Sequence, residues 1–173
     1  MGKITFIIGG ARSGKSRYAL SLAKKEKTKR VAFIATCQPF DEEMRKRIKL
    51  HRKKRPAGWQ TFEEPYKLSS LLRKNSGRFD MILIDCITLL ISNLFLRNLS
   101  EGAIMKEIGK LLAALKKNKG KAIIVSNELG LGIVPENELA RSFRDVAGMV
   151  NQLIAKESDS VFFMTAGLPL RIK

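Results

Sequence analysis

The sequence predicts an α/β protein: a mainly parallel β-sheet with helices on both faces. Short apolar runs such as "KITFIIG" and "KAIIVSNE" recur along the chain and read as buried strands. Stretches of helical period such as "EGAIMKEIGKLLAALKK" separate them. The alternation continues to the end of the 173 residues without an internal repeat or a low-complexity linker. One domain over residues 1–173 is therefore expected.

The elements follow in order. "KITFIIG" is the first strand, and a helix runs from about Gly14 to Lys25. "RVAFIAT" is the second strand. A helix over residues 41–54 places Met44, Ile48 and His51 at i, i+4 and i+7 on one face. A short element around "WQTFEE" and a helix near residues 66–74 come next. "FDMILIDC" is a third buried strand. "EGAIMKEIGKLLAALKK" is a helix that stops at "NKGK". "KAIIVSNE" is a fourth strand. "PENELARSFRDVAGMVNQLIAKE" reads as a long helix with Pro135 at or near its first turn. "SVFFMTAG" is the last long strand.

Hydrophobic residues make up 45% of the chain, enough for a packed core. No apolar run approaches the roughly 20 residues of a membrane span. "ITFIIGG" is too short, and wrongly flanked, for a signal peptide, so a cytoplasmic location is expected. The two cysteines, Cys37 and Cys86, read as reduced thiols without metal-ligand spacing. With a single histidine they make a poor structural zinc set. The formal charge of +17 favours polyanions. Its lysines and arginines are dispersed, however, and runs such as "KKEKTKR" and "KKNKGK" read as exposed helix ends. One Trp and two Tyr make a thin stacking platform, so no specific nucleic-acid partner is expected.

The first strand runs into "GGARSGKS", which matches G-x-x-x-x-G-K-[ST] at Gly9, Gly14, Lys15 and Ser16. Small residues let successive backbone N–H groups turn inward on phosphate oxygens. The following helix presents its positive end to the same anion. Lys15 can reach the β- and γ-phosphates, and the Ser16 hydroxyl can bind Mg²⁺. A nucleoside triphosphate is the implied ligand, and the fold expected is P-loop NTPase-like. The partner carboxylate should end another buried strand. Asp85, after "DMILI", qualifies as a second Mg²⁺ ligand, with a helix N-cap as the alternative.

His51 is the only histidine, and eight of the eleven residues from Arg45 to Arg55 are Lys or Arg. On its apolar helix face a packed, structural role is the ordinary reading. The surrounding cations disfavour imidazolium, which leaves a neutral, nucleophilic ring. They would also hold a triphosphate and stabilise departing pyrophosphate. Such an imidazole could attack an α-phosphorus and carry a nucleotidyl group.

"GGARSGKSRYA", "FIAT", "DEEMRKRIKLHRKKRPAGWQTFEEP", "DCITLLISNL", "VSNELGLGIVPENELARSFRDVAGMVNQLIA" and "AGLPLRIK" occur in that order from residue 4 to the C-terminus. Together they resemble the bifunctional adenosylcobinamide kinase/adenosylcobinamide-phosphate guanylyltransferases of cobalamin biosynthesis. The resemblance implies phosphorylation of adenosylcobinamide by GTP or ATP. GMP transfer from GTP to adenosylcobinamide phosphate follows, through a GMP-histidine at the position of His51. It also implies a homo-oligomer, often a trimer.

By the same resemblance Gly10, Ala11, Arg12, Ser13, Gly14, Lys15 and Ser16 form the nucleotide loop, and Gly9 and Arg17 beside it are expected to bind the nucleotide with it. Cys37, Gln38 and Pro39 lie near the nucleotide at the end of the second strand. Lys54, Arg55, Pro56 and Ala57 follow the histidine in the segment that contacts guanine nucleotide. Glu63 and Asp85 match acidic site positions. Asn127 and Glu128 end the fourth strand at the carboxyl edge, where α/β ligands bind, or else serve a helix cap or a turn there. The chain departs from the family in two places. Leu50 precedes His51 where some members carry a second histidine. "DCITLLISNL" has Leu and Ile where an aromatic residue is frequent. Two other readings stay open: a single-function P-loop kinase with His51 merely packed, and a nucleotide-dependent nucleic-acid binder.

Overall fold

The computed structural model describes residues 2–39, 42–53 and 55–173, with residues 43, 44, 47, 51 and 53 described by backbone alone. Strands form at β1 (Ile4–Gly9), β2 (Val31–Ala35), β3 (Gln60–Glu63), β4 (Met81–Asp85), β5 (Lys121–Asn127), β6 (Ser160–Thr165) and β7 (Leu168–Arg171). Helices form at α1 (Lys15–Lys25), α2 (Glu42–Lys53), α3 (Leu68–Lys74), α4 (Ile87–Phe95), α5 (Glu101–Lys117) and α6 (Glu138–Glu157).

The strands make one sheet in the order β3-β2-β4-β5-β1-β6-β7. Every neighbouring pair is parallel except β6–β7. The central strands β1, β2, β4 and β5 are apolar on both faces because both faces are covered, whereas the edge strands β3 and β7 are mostly exposed. Along β1, β2, β4 and β5 alternate side chains divide between two cores. Phe6, Ile8, Ile34, Ile82, Ile84 and Ile124 pack with α3, α4, α5 and α6. Ile7, Phe33, Leu83, Ile123 and Val125 pack with Ala19 and Ala23 of α1. Ile87, Leu90 and Ile91 of α4 are almost fully buried. Each such side chain contributes roughly 1.5–3 kcal/mol of burial.

Three differences from the sequence reading have physical causes. "ITLLISNLF" forms α4, although its apolar residues, interrupted by Thr88, Ser92 and Asn93, show no single clear apolar stripe because Thr88 and Asn93 are buried with them. "LPLR" forms β7, which pairs back on β6 through a two-residue turn at Ala166 (φ 47°) and Gly167 (φ 84°). Pro135 is outside α6, not at its first turn. The helix is capped by Asn137, whose side-chain oxygen accepts from the Ala140 N–H at 3.0 Å. A side-chain cap satisfies an orphan N–H that a proline two residues earlier cannot reach.

Among the described residues no helix is long and apolar enough to cross a membrane. The runs "KKEKTKR" and "KKNKGK" lie at the amino edge of the sheet, following α1 and α5. Lys24, Lys25, Lys116 and Lys117 fall in the last turns of those helices and oppose the negative end of each dipole.

Candidate active site

Parallel strands place all their C-terminal ends at one edge, and the loops leaving that edge build the site. β1 leaves through Gly9, where an added Cβ would come within 2.4 Å of the Met164 carbonyl oxygen. Gly14 adopts φ 94° as it caps α1, a left-handed conformation that a side chain disfavours. The cap supplies no side-chain hydrogen bond, and the first turn of α1 has no acidic residue. Its first N–H groups are therefore not taken by a capping side chain, and the positive end of the helix faces this loop.

Lys15 is the first residue of α1 and is 7% exposed. Its ammonium turns back over the loop, donating to the Gly10 carbonyl oxygen at 2.5 Å and to Ser13 Oγ at 3.4 Å. Ser16 and Arg17 follow in the first turn. A neighbour the sequence did not disclose completes the loop. The Gly167 N–H, at the β6–β7 turn, donates to the Ser13 carbonyl oxygen at 3.1 Å. An Ala-Gly pair is a weaker hairpin signal than Asn-Gly or Asp-Gly, so this tether had little sequence signature.

Across the sheet, the register aligns Glu63 with Ala35 and Ala35 with Asp85. Glu63 and Asp85 thus end their strands in one row at the carboxyl edge. By strand alternation Asp85 lies on the α1 face with Leu83. Asp85 is the last residue of β4, and Cys86 is the N-cap residue of α4. The peptide between them is cis. Thr36 locks β2 to this corner: its hydroxyl donates to the Cys86 carbonyl oxygen at 2.6 Å and accepts from the Cys86 N–H at 3.0 Å. Asn93 of α4 donates to the Thr36 carbonyl oxygen at 2.8 Å. Burial, and then the Asp85 carboxylate, push the Cys86 thiol up to about 12. Neither cysteine forms a disulfide among the described residues.

The segment after α2 closes the same face. The Arg55 guanidinium stacks over the Phe33 ring at 4.2 Å. Burial lowers its pKa, while the charges of Glu63 and Asp85 act in the other direction. Arg52 Nε donates to Glu63 Oε1 at 2.9 Å, which holds the last turn of α2 at the carboxyl edge. His51 precedes Arg52 in that helix, and its side chain lies outside the described residues, as does Lys54. Pro56 and Ala57 turn the chain toward Trp59, whose N–H donates to the Pro56 carbonyl oxygen at 3.1 Å. Trp59 packs on the α1-side core.

Gln38 Nε2, Arg55 Nε and Arg55 Nη1 are buried without a hydrogen-bond partner among the described residues. Orphaned donors of this kind mark a place where water or a ligand completes the pairing. Cys37 and Pro39 flank Gln38. At the end of β5, the Glu128 N–H donates to the Gly9 carbonyl oxygen at 2.9 Å, and Glu128 Oε1 accepts from the Gly130 N–H at 2.6 Å. Glu128 therefore serves the turn. The Asn127 N–H donates to Thr88 Oγ1 at 2.7 Å, and its carbonyl accepts from Asn151.

A Mg²⁺ ion fits the donor types here. Ser16 offers a hydroxyl and Asp85 a carboxylate, both hard oxygens. Among the described residues no group of three or more His, Cys, Asp or Glu forms a dedicated metal cage. Mg²⁺ bound with a nucleotide needs few protein ligands, since phosphates and water supply the rest.

Residues 5–172 match the family model described as "Cobinamide kinase / cobinamide phosphate guanyltransferase". The chain belongs to that family. The bifunctional adenosylcobalamin biosynthesis protein CobP of Pseudomonas aeruginosa is 46% identical over 167 residues, covering 96% of this chain and 95% of the relative. The bifunctional adenosylcobalamin biosynthesis protein CobU of Salmonella typhimurium is 41% identical over 179 residues, covering 96% and 98%. For the fold alone, the flagellar accessory protein FlaH of Methanocaldococcus jannaschii superposes with a TM-score of 0.55 at 15% identity, covering 99% of this chain and 78% of that one. Membership of the cobinamide kinase / cobinamide phosphate guanyltransferase family rests on nearly the whole chain, so it takes in both the phosphate loop and the α2 segment.

Proposed function

We propose that this protein phosphorylates adenosylcobinamide with GTP or ATP. It then transfers GMP from GTP to adenosylcobinamide phosphate, giving adenosylcobinamide-GDP and pyrophosphate. The observation that carries the reading is the phosphate loop of β1–α1 beside Asp85, with Arg52–Glu63 holding the histidine-bearing helix at the same edge.

In the kinase step the loop N–H groups and the start of α1 bind the β- and γ-phosphates, and Lys15 swings from Gly10 to a phosphate oxygen. Ser16 and Asp85 would hold Mg²⁺, which supplies charge neutralisation on the phosphate oxygens when bound. Arg55 and Gln38 offer their open donors to the nucleotide, with Gly9–Arg17 as its cradle and residues 37–39 and 54–57 as its wall.

In the transfer step a ring nitrogen of His51 attacks the α-phosphorus of GTP. The P–N bond forms as the bond to pyrophosphate breaks. A phosphate oxygen of adenosylcobinamide phosphate then attacks the same phosphorus, the P–N bond breaks, and His51 is regenerated. The assembly we expect is a homo-oligomer, a trimer by family resemblance. Leu131, Ile133 and Val134 are 80%, 96% and 57% exposed and offer apolar surface for it; sedimentation velocity tests this. The functional reading is tested by supplying adenosylcobinamide, GTP and Mg²⁺ and following both products by mass spectrometry. Formation of adenosylcobinamide phosphate without adenosylcobinamide-GDP would favour the single-function kinase.

A further inference from the structure

The far side of the carboxyl edge, across the sheet from α1, holds polar groups that the nucleotide site does not use. α6 connects two parallel strands and so runs antiparallel to them, with its N-terminal half at the carboxyl edge. Asn151 fixes the helix there. It is 5% exposed, and its side-chain nitrogen donates to the Asn127 carbonyl oxygen at 3.0 Å. Asn127 pairs in register with Gly9, the first residue of the phosphate loop.

Arg144 lies seven residues earlier on the same helix face, about 10 Å further out past the edge. Its Nη1 is buried and has no hydrogen-bond partner among the described residues, and neither has Asn151 Oδ1. No described ion pair includes Arg144. The neighbouring arginine of the helix, Arg141, is engaged instead with the carbonyl oxygens of Pro135 and Glu136. One guanidinium of α6 thus secures the loop, while a second is half-buried, has no hydrogen bond or ion pair among the described residues, and lies beyond the carboxyl edge where the phosphate loop begins. A buried guanidinium nitrogen without an acceptor is unfavourable unless a ligand supplies one.

We propose that Arg144 binds the phosphate group of a phosphomonoester acceptor, approaching the nucleotide from the α6 side while Asn151 holds the helix in place. The planar fork of a guanidinium matches two oxygens of a phosphate, and charge-assisted pairing of this type gives geometry as well as affinity. This rests on the reading of the protein as a GMP transferase to a phosphorylated acceptor. It makes Arg144 specific to the second reaction, since the first acceptor presents a hydroxyl.

The test has a binding arm and a turnover arm, both on the full chain. Thermal stabilisation by O-phosphoethanolamine, with ethanolamine as the control lacking phosphate, is titrated in wild type, Arg144→Ala, Arg144→Lys and Lys119→Ala. Lys119→Ala removes one positive charge at the opposite edge of the sheet and sets the nonspecific baseline. The expected result is phosphomonoester binding in wild type and Lys119→Ala, weakened roughly tenfold or more in Arg144→Ala and partly restored in Arg144→Lys. In turnover, KM for adenosylcobinamide phosphate should rise by a similar factor in Arg144→Ala. Phosphorylation of adenosylcobinamide should change less than about threefold, and covalent labelling from α-labelled GTP should persist. Should Arg144→Ala fail to fold, Arg144→Gln carries the same comparison. Absence of phosphomonoester binding in wild type, its retention in Arg144→Ala, or equal loss of both reactions would overturn the proposal. If no protein transfers GMP, yet binding still depends on Arg144, the anion site stands and the transferase reading fails.

Discussion

Gly167, at the tip of the β6–β7 hairpin, donates its N–H to the carbonyl oxygen of Ser13 at 3.1 Å and so braces the phosphate loop from outside. Its φ of 84° is left-handed, and an added Cβ would meet Arg17 Nη2 at 2.9 Å. Gly167→Ala should therefore destabilise the chain by about 1–2 kcal/mol and lower Tm by roughly 2–8 °C. It should also raise KM for the nucleotide, because the loop loses its brace. Calorimetry and kinase kinetics check this; an unchanged Tm would mean that the hairpin tip adapts freely.

Lys15 rests on the Gly10 carbonyl oxygen at 2.5 Å, within the loop whose phosphate it is to meet. Lys15→Ala should lower phosphorylation of adenosylcobinamide by on the order of 10² or more. Turnover within about threefold of wild type would remove Lys15 from the mechanism.

The strand–glycine loop–helix unit, the place of Asp85 at the end of a strand and the parallel sheet were legible in the sequence because each depends on local residue order. A glycine pattern sits between an apolar strand and a helix, and a carboxylate ends a buried run. α4 was not legible, since "ITLLISNLF" is mostly apolar and buries Thr88 and Asn93 as well, so no polar face marks a period to distinguish helix from strand. The Thr36–Cys86–Asn93 lock, the Arg52–Glu63 pair and the Gly167–Ser13 brace join residues distant in sequence, and only the fold brings them together. Glu63 was read as an acidic site residue; the structure gives it Arg52 as a partner.

That pair gives a further prediction. Both side chains are about half exposed, so the pair contributes at most about 1 kcal/mol to global stability. Glu63→Gln should leave Tm nearly unchanged yet lower GMP labelling severalfold, since it releases the helix turn next to His51. Equal labelling in the two proteins would show that the ion pair does not position the histidine.

Cys86 predicts a pH effect. Burial, and then Asp85, push its thiol from an ordinary value of 9.0 up to about 12 in the folded chain. The stabilisation from keeping the thiol neutral is complete below pH 9 and is lost as the pH rises toward 12, because the unfolded chain ionises first. Urea unfolding of wild type against Cys86→Ala between pH 8 and about 10.5 should show wild type losing stability faster. At pH 8 iodoacetamide should modify Cys37, which is partly exposed, well before Cys86. Parallel pH curves for the two proteins would contradict the shift.

The charge of +17 predicts weak, salt-sensitive binding to duplex DNA without sequence preference. A sequence-specific submicromolar complex at physiological salt would instead support the nucleic-acid reading.

The central claim is that His51 carries GMP. Wild type incubated with α-labelled GTP and Mg²⁺ should take up label in an acid-labile, base-stable phosphoramidate, and mass spectrometry should place GMP on the peptide containing residues 50–52. His51→Ala should keep phosphorylation of adenosylcobinamide while losing both the label and adenosylcobinamide-GDP; His51→Asn should behave the same way. If His51→Ala still takes up label and still forms adenosylcobinamide-GDP, the histidine is structural and the account is wrong.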